Sequence, residues 1–470
     1  MSESGIGRRE FLRGAVAASA AGMLAGCRPT TTGDAPQVDA AYVPGEPLPW
    51  RNWGGNQACR PEARLAPATE DEIVSALSGA HGHVRPVGAG HSFSGLVPTD
   101  GALLATDMLN GLVSTDAETL QCEVWSGTRL HQLGPLLEAE SLAMPNLPDI
   151  DYQTLAGAVS TSTHGTGATL GSLASIVEGV AIATPSGELI ECDRTTQPEV
   201  FHAARCSFGA LGVLTRLRIQ CVPPFELAQR IHFEPLDGVL EDVVRLRDSH
   251  RHLEVLAFPH TSMAQVLLTD PDDGTTESTG VQSDDAESLR EAYRLLGGIP
   301  GVGDFLFDAA FRATTAGMNT VHAGPSWRVL THTRLARFKE MEYTVEADAG
   351  VECLREIMQT IREQEIPVVY PVELRYVKRD DIWLSMFHER DGCTISIHQF
   401  ADERHGPVFD ALEPIFWKYE GRPHWGKLHT LDAARLSALY PRWRDFQEVR
   451  RALDPEGRML NPHLRELLGA

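Results

Sequence analysis

Apolar and polar positions alternate with two different periods in this chain, and the two periods predict helices and strands in succession. Apolar residues recur at helical spacing from Ile73 to Ala80, directly after Thr69-Glu-Asp-Glu72, which has the sequence pattern of a capping box. The apolar run Val84–Val87 follows and predicts a short buried strand. The first part of the chain therefore begins in a βαβ-like manner.

Further strands are predicted downstream by apolar runs and by alternation of apolar with polar residues. Val213, Leu217 and Ile219 alternate with Arg216 and Arg218, as expected for a half-exposed strand. Other predicted strands are 103–105, 122–125, 177–184, 188–192, 371–377 and 394–400, and residues 288–296 are predicted to be helical. No internal repeat is evident.

Composition describes an ordinary globular protein that is long enough for two domains. The chain has 470 residues, of which 42% are hydrophobic and 22% charged. Its net charge of −23 argues against nucleic acid as a partner, because a phosphate backbone requires clustered Lys and Arg. His81, His83 and His332 lack partners at metal-ligand spacing, so no metal site is predicted.

Two loops dense in glycine and hydroxyl residues each follow an apolar run, and they are the first candidates for chemistry. They are Arg85–Ser94 and Val159–Gly167. Such loops bring bare backbone N–H groups close to an anionic ligand, because glycine has no Cβ to hold it away. Neither is a Rossmann fingerprint or a P-loop, and either one alone is compatible with an ordinary tight turn. Together they suggest a cradle for a diphosphate.

The sequences of these loops resemble those of the vanillyl-alcohol-oxidase family of flavoproteins, which has a PCMH-type FAD-binding domain. Gly88–Ser94, G-A-G-H-S-F-S, is similar to the flavin-attachment loop of its sugar-1,4-lactone (D-arabinono-1,4-lactone and L-gulonolactone) and alditol oxidase branch. Ser160–Gly167, S-T-S-T-H-G-T-G, is similar to the second FAD loop. A third match is R-P-H-W-G-K at 422–427, followed by Asp454–Asn461. The resemblance runs from about residue 50 to the end of the chain.

The resemblance implies an α+β fold made of a two-part PCMH-type FAD-binding domain and an α+β cap domain for the substrate, with a large antiparallel sheet. We expect the FAD-binding domain at 49–224 and the cap domain at 225–420. Residues 421–470 are expected to return to the FAD-binding domain.

The cofactor that the resemblance implies is FAD, bound covalently through His91, with a non-covalent polar contact as the alternative role of this histidine. The residues expected to bind it are Pro86, Val87, Gly88, Ala89, Gly90, His91, Ser92, Ser160, Ser162, Thr163, His164, Gly165, Thr166 and Gly167. In the alditol branch we expect a serine near the start of the second loop, where Ala158 stands, and this departure weakens the polyol alternative.

Oxidation of an alcohol by a flavin requires an acceptor or relay for the hydroxyl proton and positive charge near the ring. Period two places Glu373 and Arg375 on one face of the strand 371–377, where a surface ion pair is the plain alternative. The family carries a Glu-x-Arg on a cap strand over the flavin, so the resemblance favours a catalytic role.

Two further residues complete the expected catalytic set. His398 shares a face of the strand 394–400 with Ser396, which we expect beside Glu373, although a strand histidine is often structural. Lys427 is the best candidate for positive charge near the flavin or the substrate oxygens.

The function that the resemblance implies is oxidation of a CH–OH group of a sugar-1,4-lactone by hydride transfer to flavin N5. Oxygen or a membrane carrier would reoxidise the flavin. An alditol oxidase and a non-catalytic flavin-binding lipoprotein are the alternatives.

The N-terminus is similar to an export signal with a lipid-attachment site. Arg8–Arg13 precedes the apolar run Gly14–Ala25, which is too short to span a bilayer and resembles a twin-arginine signal. Leu24–Cys27 resembles a lipobox, so we expect a signal peptide at 1–26 and a flexible tether at 27–48 that anchors the protein to the extracytoplasmic side of a bacterial membrane. The plain alternative is a basic tail with a chance cysteine.

The other seven cysteines are scattered and never spaced as Cys-x-x-Cys. A protein that folds in the reducing cytoplasm is not expected to depend on disulfides, so we expect buried free thiols.

Overall fold

The computed structural model describes residues 45, 47–281, 286–299, 301–332, 334 and 336–470. The expected signal peptide and almost all of the expected tether lie outside the described residues. The described strands are β1 (Trp50–Arg51), β2 (Ala58–Cys59), β3 (Ala63–Leu65), β4 (Val84–Val87), β5 (Ala102–Ala105), β6 (Leu112–Asp116), β7 (Gln121–Trp125), β8 (Val177–Ala183), β9 (Leu189–Asp193), β10 (Val213–Gln220), β11 (Glu226–Pro235), β12 (His252–Ala257), β13 (Met263–Asp272), β14 (Asn319–Pro325), β15 (Phe338–Glu346), β16 (Val372–Val377), β17 (Gly392–Phe400) and β18 (Arg422–Pro423).

The helices are separated from one another by these strands and by loops. They are α1 (Glu70–Gly79), α2 (Leu130–Ala139), α3 (Leu155–Ser160), α4 (Pro198–Ala204), α5 (Leu236–Ser249), α6 (Ala286–Leu296), α7 (Gly303–Thr315), α8 (Ser326–Val329), α9 (Gly350–Glu363), α10 (Gly406–Lys418), α11 (Ala433–Leu439), α12 (Trp443–Leu453) and α13 (Pro462–Leu468). Within the described residues, no helix combines the length and the apolar character needed to cross a bilayer.

The first half of the chain forms two small packed sheets. A three-stranded parallel sheet has the order β3-β5-β4, and a five-stranded antiparallel sheet has the order β6-β7-β10-β8-β9. The helix α1 connects β3 to β4, and its Ile73 and Leu77 are buried in one cluster with Val84 and Val213 from the two sheets. The predicted N-cap is confirmed, because the Thr69 hydroxyl accepts a hydrogen bond from the Glu72 backbone N–H. The reciprocal bond of a capping box is displaced by one residue, since the Glu72 carboxylate accepts from the Ala68 backbone N–H at 2.7 Å.

The second half is built on an eight-stranded antiparallel sheet with the order β14-β11-β13-β12-β16-β17-β15-β18. Helix α9 buries an apolar stripe against one face of this sheet, from Cys353 to Ile361. Strands β12, β15, β16 and β17 carry polar and charged residues on the opposite face. The expected mixture of helices with a large antiparallel sheet is confirmed.

The C-terminal segment contacts the first half again. The backbone N–H of Val84 donates to the Arg458 carbonyl at 2.9 Å, and the Asn461 amide donates to the Gly95 carbonyl at 2.8 Å. The domain boundaries at residues 224 and 420 stay predictions.

The seven described cysteines are buried free thiols, as expected from their irregular spacing.

Candidate active site

The three sequence motifs meet in one place. The backbone N–H of Phe93 donates to the Gly426 carbonyl at 2.7 Å, and the Ser94 hydroxyl donates to the Trp425 carbonyl at 2.7 Å. The first glycine loop is therefore fastened to the R-P-H-W-G-K segment. Gly88 lies against Thr154, which caps the helix that leads into the second loop, and a Cβ on Gly88 would come within 2.1 Å of the Thr154 hydroxyl.

The two loops present backbone donors that the protein leaves free. In the part of the chain that the structure describes, none of the N–H groups of residues 88–92 or 164–166 donates to a protein acceptor. Gly90 has a φ of +69°, a conformation that favours glycine, and a Cβ on Gly165 would lie 2.3 Å from the Leu147 carbonyl. Free donors on closely approachable backbone fit the diphosphate of FAD.

The predicted cofactor residues do not all keep their polar groups free. The Ser162 hydroxyl lies 3.2 Å from that of Ser385, the Thr166 hydroxyl donates to the Leu253 carbonyl, and the Gly167 N–H donates to the Tyr376 carbonyl at 2.7 Å. The last two contacts join the second loop to the eight-stranded sheet, and the first joins it to the loop that carries Ser385. Cofactor contacts by the fourteen residues named from the sequence stay predictions.

His91 lies half-buried in the first loop, with its ring stacked on Trp53 at 5.1 Å between centroids. Burial, together with the positive charges of Lys427 and Arg129, lowers the pKa of His91 to about 4. Its imidazole is therefore neutral at physiological pH, with one ring nitrogen unprotonated.

A cavity of about 100 Å³ lies between the second loop and the polar face of the eight-stranded sheet. All four residues expected to be catalytic line it, and so do Thr163 and His164 of the second loop. Its apolar wall is formed by Ile150, Leu256, Phe338, Tyr370 and Pro371.

Strand register explains why these side chains meet. Glu373 on β16 lies opposite Ser396 on β17, as expected, and Ser396 lies opposite Glu342 on β15. His398 lies opposite Glu340. Side chains directly opposite each other on one sheet face are close neighbours, so an acid, a histidine and a hydroxyl converge there.

Arg375 brings a positive charge to this face of the sheet and contacts two of its acidic side chains. Its Nη2 donates to the Glu373 carboxylate, and its Nε donates to Glu254 Oε2 at 3.4 Å. Burial, with the nearby Glu254 carboxylate, raises the pKa of Glu373 well above its ordinary value despite the opposing charge of Arg375. Glu373 is thus a stronger proton acceptor than an ordinary glutamate.

Lys427 brings a second positive charge into the cavity. Its ammonium group pairs with Glu340, whose other oxygen lies 3.6 Å from His398 Nε2. Burial acts to raise the pKa of Glu340, but the positive charge of Lys427 acts against it, and the pKa is lowered. Burial lowers the pKa of His398, so its ring is neutral.

A buried ion pair ties the second loop to the sheet. His164 Nδ1 lies 2.7 Å from the Gly165 carbonyl, and Nε2 lies 2.6 Å from Glu342 Oε1. The carbonyl accepts only, so Nδ1 carries a proton, and Nε2 faces the carboxylate at hydrogen-bonding distance. Burial opposes the ionised carboxylate, but the charge and hydrogen bond of His164 hold the pKa of Glu342 well below its ordinary value. Sequence reasoning placed His164 in the loop but missed this partner.

Replacing Glu342 with leucine is expected to lower the free energy of unfolding by about 3 kcal/mol, because it leaves a buried histidine without its counter-ion. Glu342→Gln, which keeps a hydrogen-bonding group, is expected to lose less than half as much. The folded-state pKa is depressed, so the pair stabilises the protein above pH 4.5, the ordinary glutamate value, and is lost as the pH falls below it. Urea unfolding at neutral and acid pH measures this, and a wild-type-to-leucine difference that does not shrink in acid would contradict it.

The sequence missed several other charged residues of the site. Asp149 and Arg334 line the cavity as a pair, with Arg334 Nε 2.7 Å from Asp149 Oδ2. Glu340 and Glu342 alternate with Met341 and Tyr343, a pattern that by itself indicates an ordinary half-exposed strand. Glu340 and Glu342 could have been identified as site residues only if the pairing of their strand with the strand that carries His398 had been known. Among the described residues, no cluster of metal-ligating side chains occurs.

Comparison with solved structures supports the fold. The chain is similar to the cholesterol oxidase of Brevibacterium sterolicum, with a TM-score of 0.73 and 16% identity over 89% of this chain and 96% of the other. It is also similar to a solvent-stable cholesterol oxidase, with a TM-score of 0.75 and 19% identity over 90% and 97% of the two chains. At these identities the likeness concerns the fold alone.

Comparison with sequences is more specific. The L-gulono-1,4-lactone dehydrogenase of Mycobacterium tuberculosis H37Rv is 33% identical over 89% of this chain and 99% of that protein. The L-gulonolactone oxidase of Bos taurus is 30% identical over 89% and 98%, and the alditol oxidase of a Streptomyces species is 31% identical over 89% and 98%.

Two family models match the chain. An FAD-binding-domain model matches residues 61–193, where both glycine loops lie, and a D-arabinono-1,4-lactone oxidase model matches residues 217–467, where all four expected catalytic residues lie. The resemblance inferred from three motifs is confirmed. The chain belongs to the D-arabinono-1,4-lactone oxidase family of FAD-dependent oxidoreductases.

Proposed function

We propose that this protein oxidises a CH–OH group of a sugar-1,4-lactone. The observation that carries the proposal is the convergence of Glu373, Arg375, Lys427 and His398 in one cavity beside the second glycine loop. FAD held between the two loops supplies the hydride acceptor for this chemistry.

The side chains of the cavity suit a cyclic, carbonyl-bearing substrate. Arg375 and Lys427 are placed to donate hydrogen bonds to ring, carbonyl and hydroxyl oxygens, and each is paired with an acidic side chain. Phe338, Tyr370 and Leu256 present apolar surface to the face of a lactone ring. Glu373 and the neutral His398 are placed to accept or relay the proton of the substrate hydroxyl.

Turnover on two substrate classes tests the proposal. We expect higher kcat/KM with L-gulono-1,4-lactone or D-arabinono-1,4-lactone than with an alditol such as xylitol. Turnover of the alditol without turnover of either lactone would reject the lactone assignment in favour of an alditol oxidase. A bound flavin that neither class reduces would instead favour a flavin-binding protein without this activity.

The reduced flavin passes its electrons to oxygen or to a membrane carrier under this proposal. Release of hydrogen peroxide during aerobic turnover identifies oxygen as the acceptor. Turnover that requires an added quinone and releases no peroxide identifies a carrier.

We propose further that His91 bonds covalently to the flavin. Its neutral imidazole, half-buried in the first loop, has the unprotonated nitrogen that attack on the flavin's 8α carbon requires. Acid-precipitated wild-type protein is expected to retain its yellow colour in the pellet. His91→Ala is expected to release that colour into the supernatant, whereas His81→Ala, which removes an exposed histidine outside the site, is expected to retain it. A yellow His91→Ala pellet would contradict the attachment.

We also propose that the protein is exported by the twin-arginine route and anchored through Cys27. The Arg8–Arg13 and Leu24–Cys27 motifs support this. Wild-type protein expressed in bacteria is expected to partition into the detergent phase, and Cys27→Ser into the aqueous phase. Replacing both Arg8 and Arg9 with lysine is expected to leave the protein in the cytoplasm. Equal partitioning of wild type and Cys27→Ser would reject the anchor.

A further inference from the structure

A second, smaller polar cavity lies on the far side of Arg375 from the first. It has a volume of about 30 Å³, enough for about one water molecule. Arg375 and Asp149 line both cavities and form the partition between them. Glu373 lines the large cavity only, and Glu254 lines the small one only.

Sheet register brings the lining of the small cavity together. Gln229 on β11 lies opposite Thr269 on β13, which lies opposite His252 on β12. Glu254 follows two residues after His252 on the same face and lies opposite Arg375. The small cavity is therefore the continuation, along one sheet face, of the row that carries Glu373.

Acceptor atoms dominate this lining. His252 Nδ1 lies 2.8 Å from the Thr166 carbonyl and so carries the ring proton, and burial lowers the pKa of His252 to about 4. Its Nε2 is thus a bare acceptor. His332 Nδ1 lies 2.9 Å from Asp149 Oδ1.

Four buried atoms of this lining have no protein partner within the described residues: Glu254 Oε1, Gln229 Oε1, His252 Nε2 and His332 Nε2. Three of these atoms, the Glu254 and Gln229 oxygens and His252 Nε2, are acceptors around a space for one water. They favour a donor there, because an unpaired buried acceptor costs about 1–3 kcal/mol. A water molecule donates two hydrogen bonds and a protonated water donates three. The lining is suited to a water that carries or receives a proton.

Arg375 lies between the two cavities and contacts one carboxyl group in each of them. One of its nitrogens contacts Glu373 and another contacts Glu254. The two acids lie diagonally across neighbouring strands, and the presence of Glu254 helps to raise the pKa of Glu373. Two carboxyl groups beside one guanidinium favour a state in which they share one proton.

We propose that the small cavity is a proton-exit site and that Glu254 is the relay residue that feeds it. This inference rests on the proposed alcohol oxidation. As the substrate O–H bond breaks and the C=O bond forms, the hydride carries the electron pair to FAD and the hydroxyl proton passes to Glu373. The proton shared by the two acids then leaves from Glu254 to the water held by Gln229 and His252.

Among the described residues, six charged or titratable groups face Glu254. They are Glu373 and Arg375 on β16, His252 on β12, and Asp149, His332 and Arg334 from the adjoining loops. Because Glu254 helps to raise the pKa of Glu373, Glu254→Gln is expected to lower it. The acid limb of the kcat/KM profile is then expected to move by about one pH unit to lower pH.

Two measurements on the flavin-loaded protein test the relay. Infrared spectroscopy at neutral pH is expected to show the C=O stretch of one protonated carboxyl group, and Glu254→Gln is expected to remove it. This reading needs no turnover, so it stands even if the substrate class is wrong. In turnover, Glu254→Gln is expected to lower kcat at least about tenfold and to enlarge the solvent deuterium isotope effect, with partial rescue in Glu254→Asp.

Gln229→Leu provides a second variant that leaves both carboxyl groups in place. It is expected to enlarge the solvent isotope effect and to leave the infrared band intact. A folded Glu254→Gln protein with the wild-type infrared band, pH profile and isotope effect would overturn the proposal. A rise in KM alone would also overturn it, because Glu254 would then only support Arg375.

Discussion

Replacing Arg375 with methionine is expected to lower kcat/KM by about 10²–10³-fold, and to lower the free energy of unfolding by about 3–5 kcal/mol. The activity is lost because this guanidinium lies beside Glu373 in the cavity, where it is placed to donate hydrogen bonds to substrate oxygens. The stability is lost because Glu373, which is buried, and Glu254, whose side chain is 13% exposed, then lose the cation that they share. Steady-state kinetics and urea unfolding measure the two effects.

Two matched variants test whether the effect of Arg375→Met is specific to the guanidinium group at this position. Arg375→Lys keeps the charge but lacks the planar fork that reaches two carboxylates, so it is expected to recover only part of the activity. Arg230→Met removes an exposed arginine of the same sheet and is expected to behave as wild type. An Arg375→Met protein with near-wild-type kcat/KM would contradict the role assigned to this residue.

Replacing Lys427 with alanine is expected to lower kcat/KM by about 10²-fold or more. The ammonium group is the main influence that lowers the pKa of Glu340 against the effect of burial. Without it that pKa rises, so Glu340 takes up a proton at a higher pH and the cavity loses a donor for substrate oxygens.

Chemical rescue separates this role from a structural one. Added ethylammonium ions are expected to restore part of the activity of Lys427→Ala, because a small cation fits the space that the side chain leaves. They are expected to have no effect on Lys427→Met, in which that space is filled. Loss of activity without rescue, accompanied by a large loss of stability, would show that Lys427 serves the fold instead.

The short-range features of the site were predictable from the sequence. Period two places Glu373 and Arg375 on one face of a strand, and both are buried on the same face in the structure. The same argument placed Ser396 with His398, and the register puts Ser396 opposite Glu373. Each inference needed only a few neighbouring residues.

The long-range pairs were not predictable from local pattern. Lys427 pairs with Glu340 across 87 positions, and His164 pairs with Glu342 across 178. Both partners lie on β15, whose alternation of acids with apolar residues is equally typical of a solvated strand. The order of the eight-stranded sheet decides that this strand is buried, and that order places β12 beside β16, which lie more than a hundred residues apart.

The large sheet itself was expected from family resemblance, because the apolar runs alone do not specify which strands pair. The glycine loops were recognisable because free backbone donors require glycine at particular places, such as Gly90 with its positive φ. The small cavity behind Arg375 had no sequence signal, since Gln229, His252 and Glu254 meet only through sheet register.

Anaerobic reduction of the bound flavin by a sugar lactone is the decisive test of lactone oxidation at this site. On mixing the purified flavoprotein with L-gulono-1,4-lactone, we expect the visible flavin absorbance to bleach completely in wild type. In Glu373→Gln with its flavin still bound, we expect bleaching to be at least about a hundredfold slower. A flavin that lactones leave oxidised while xylitol bleaches it, or equal rates in the two proteins, would contradict the account.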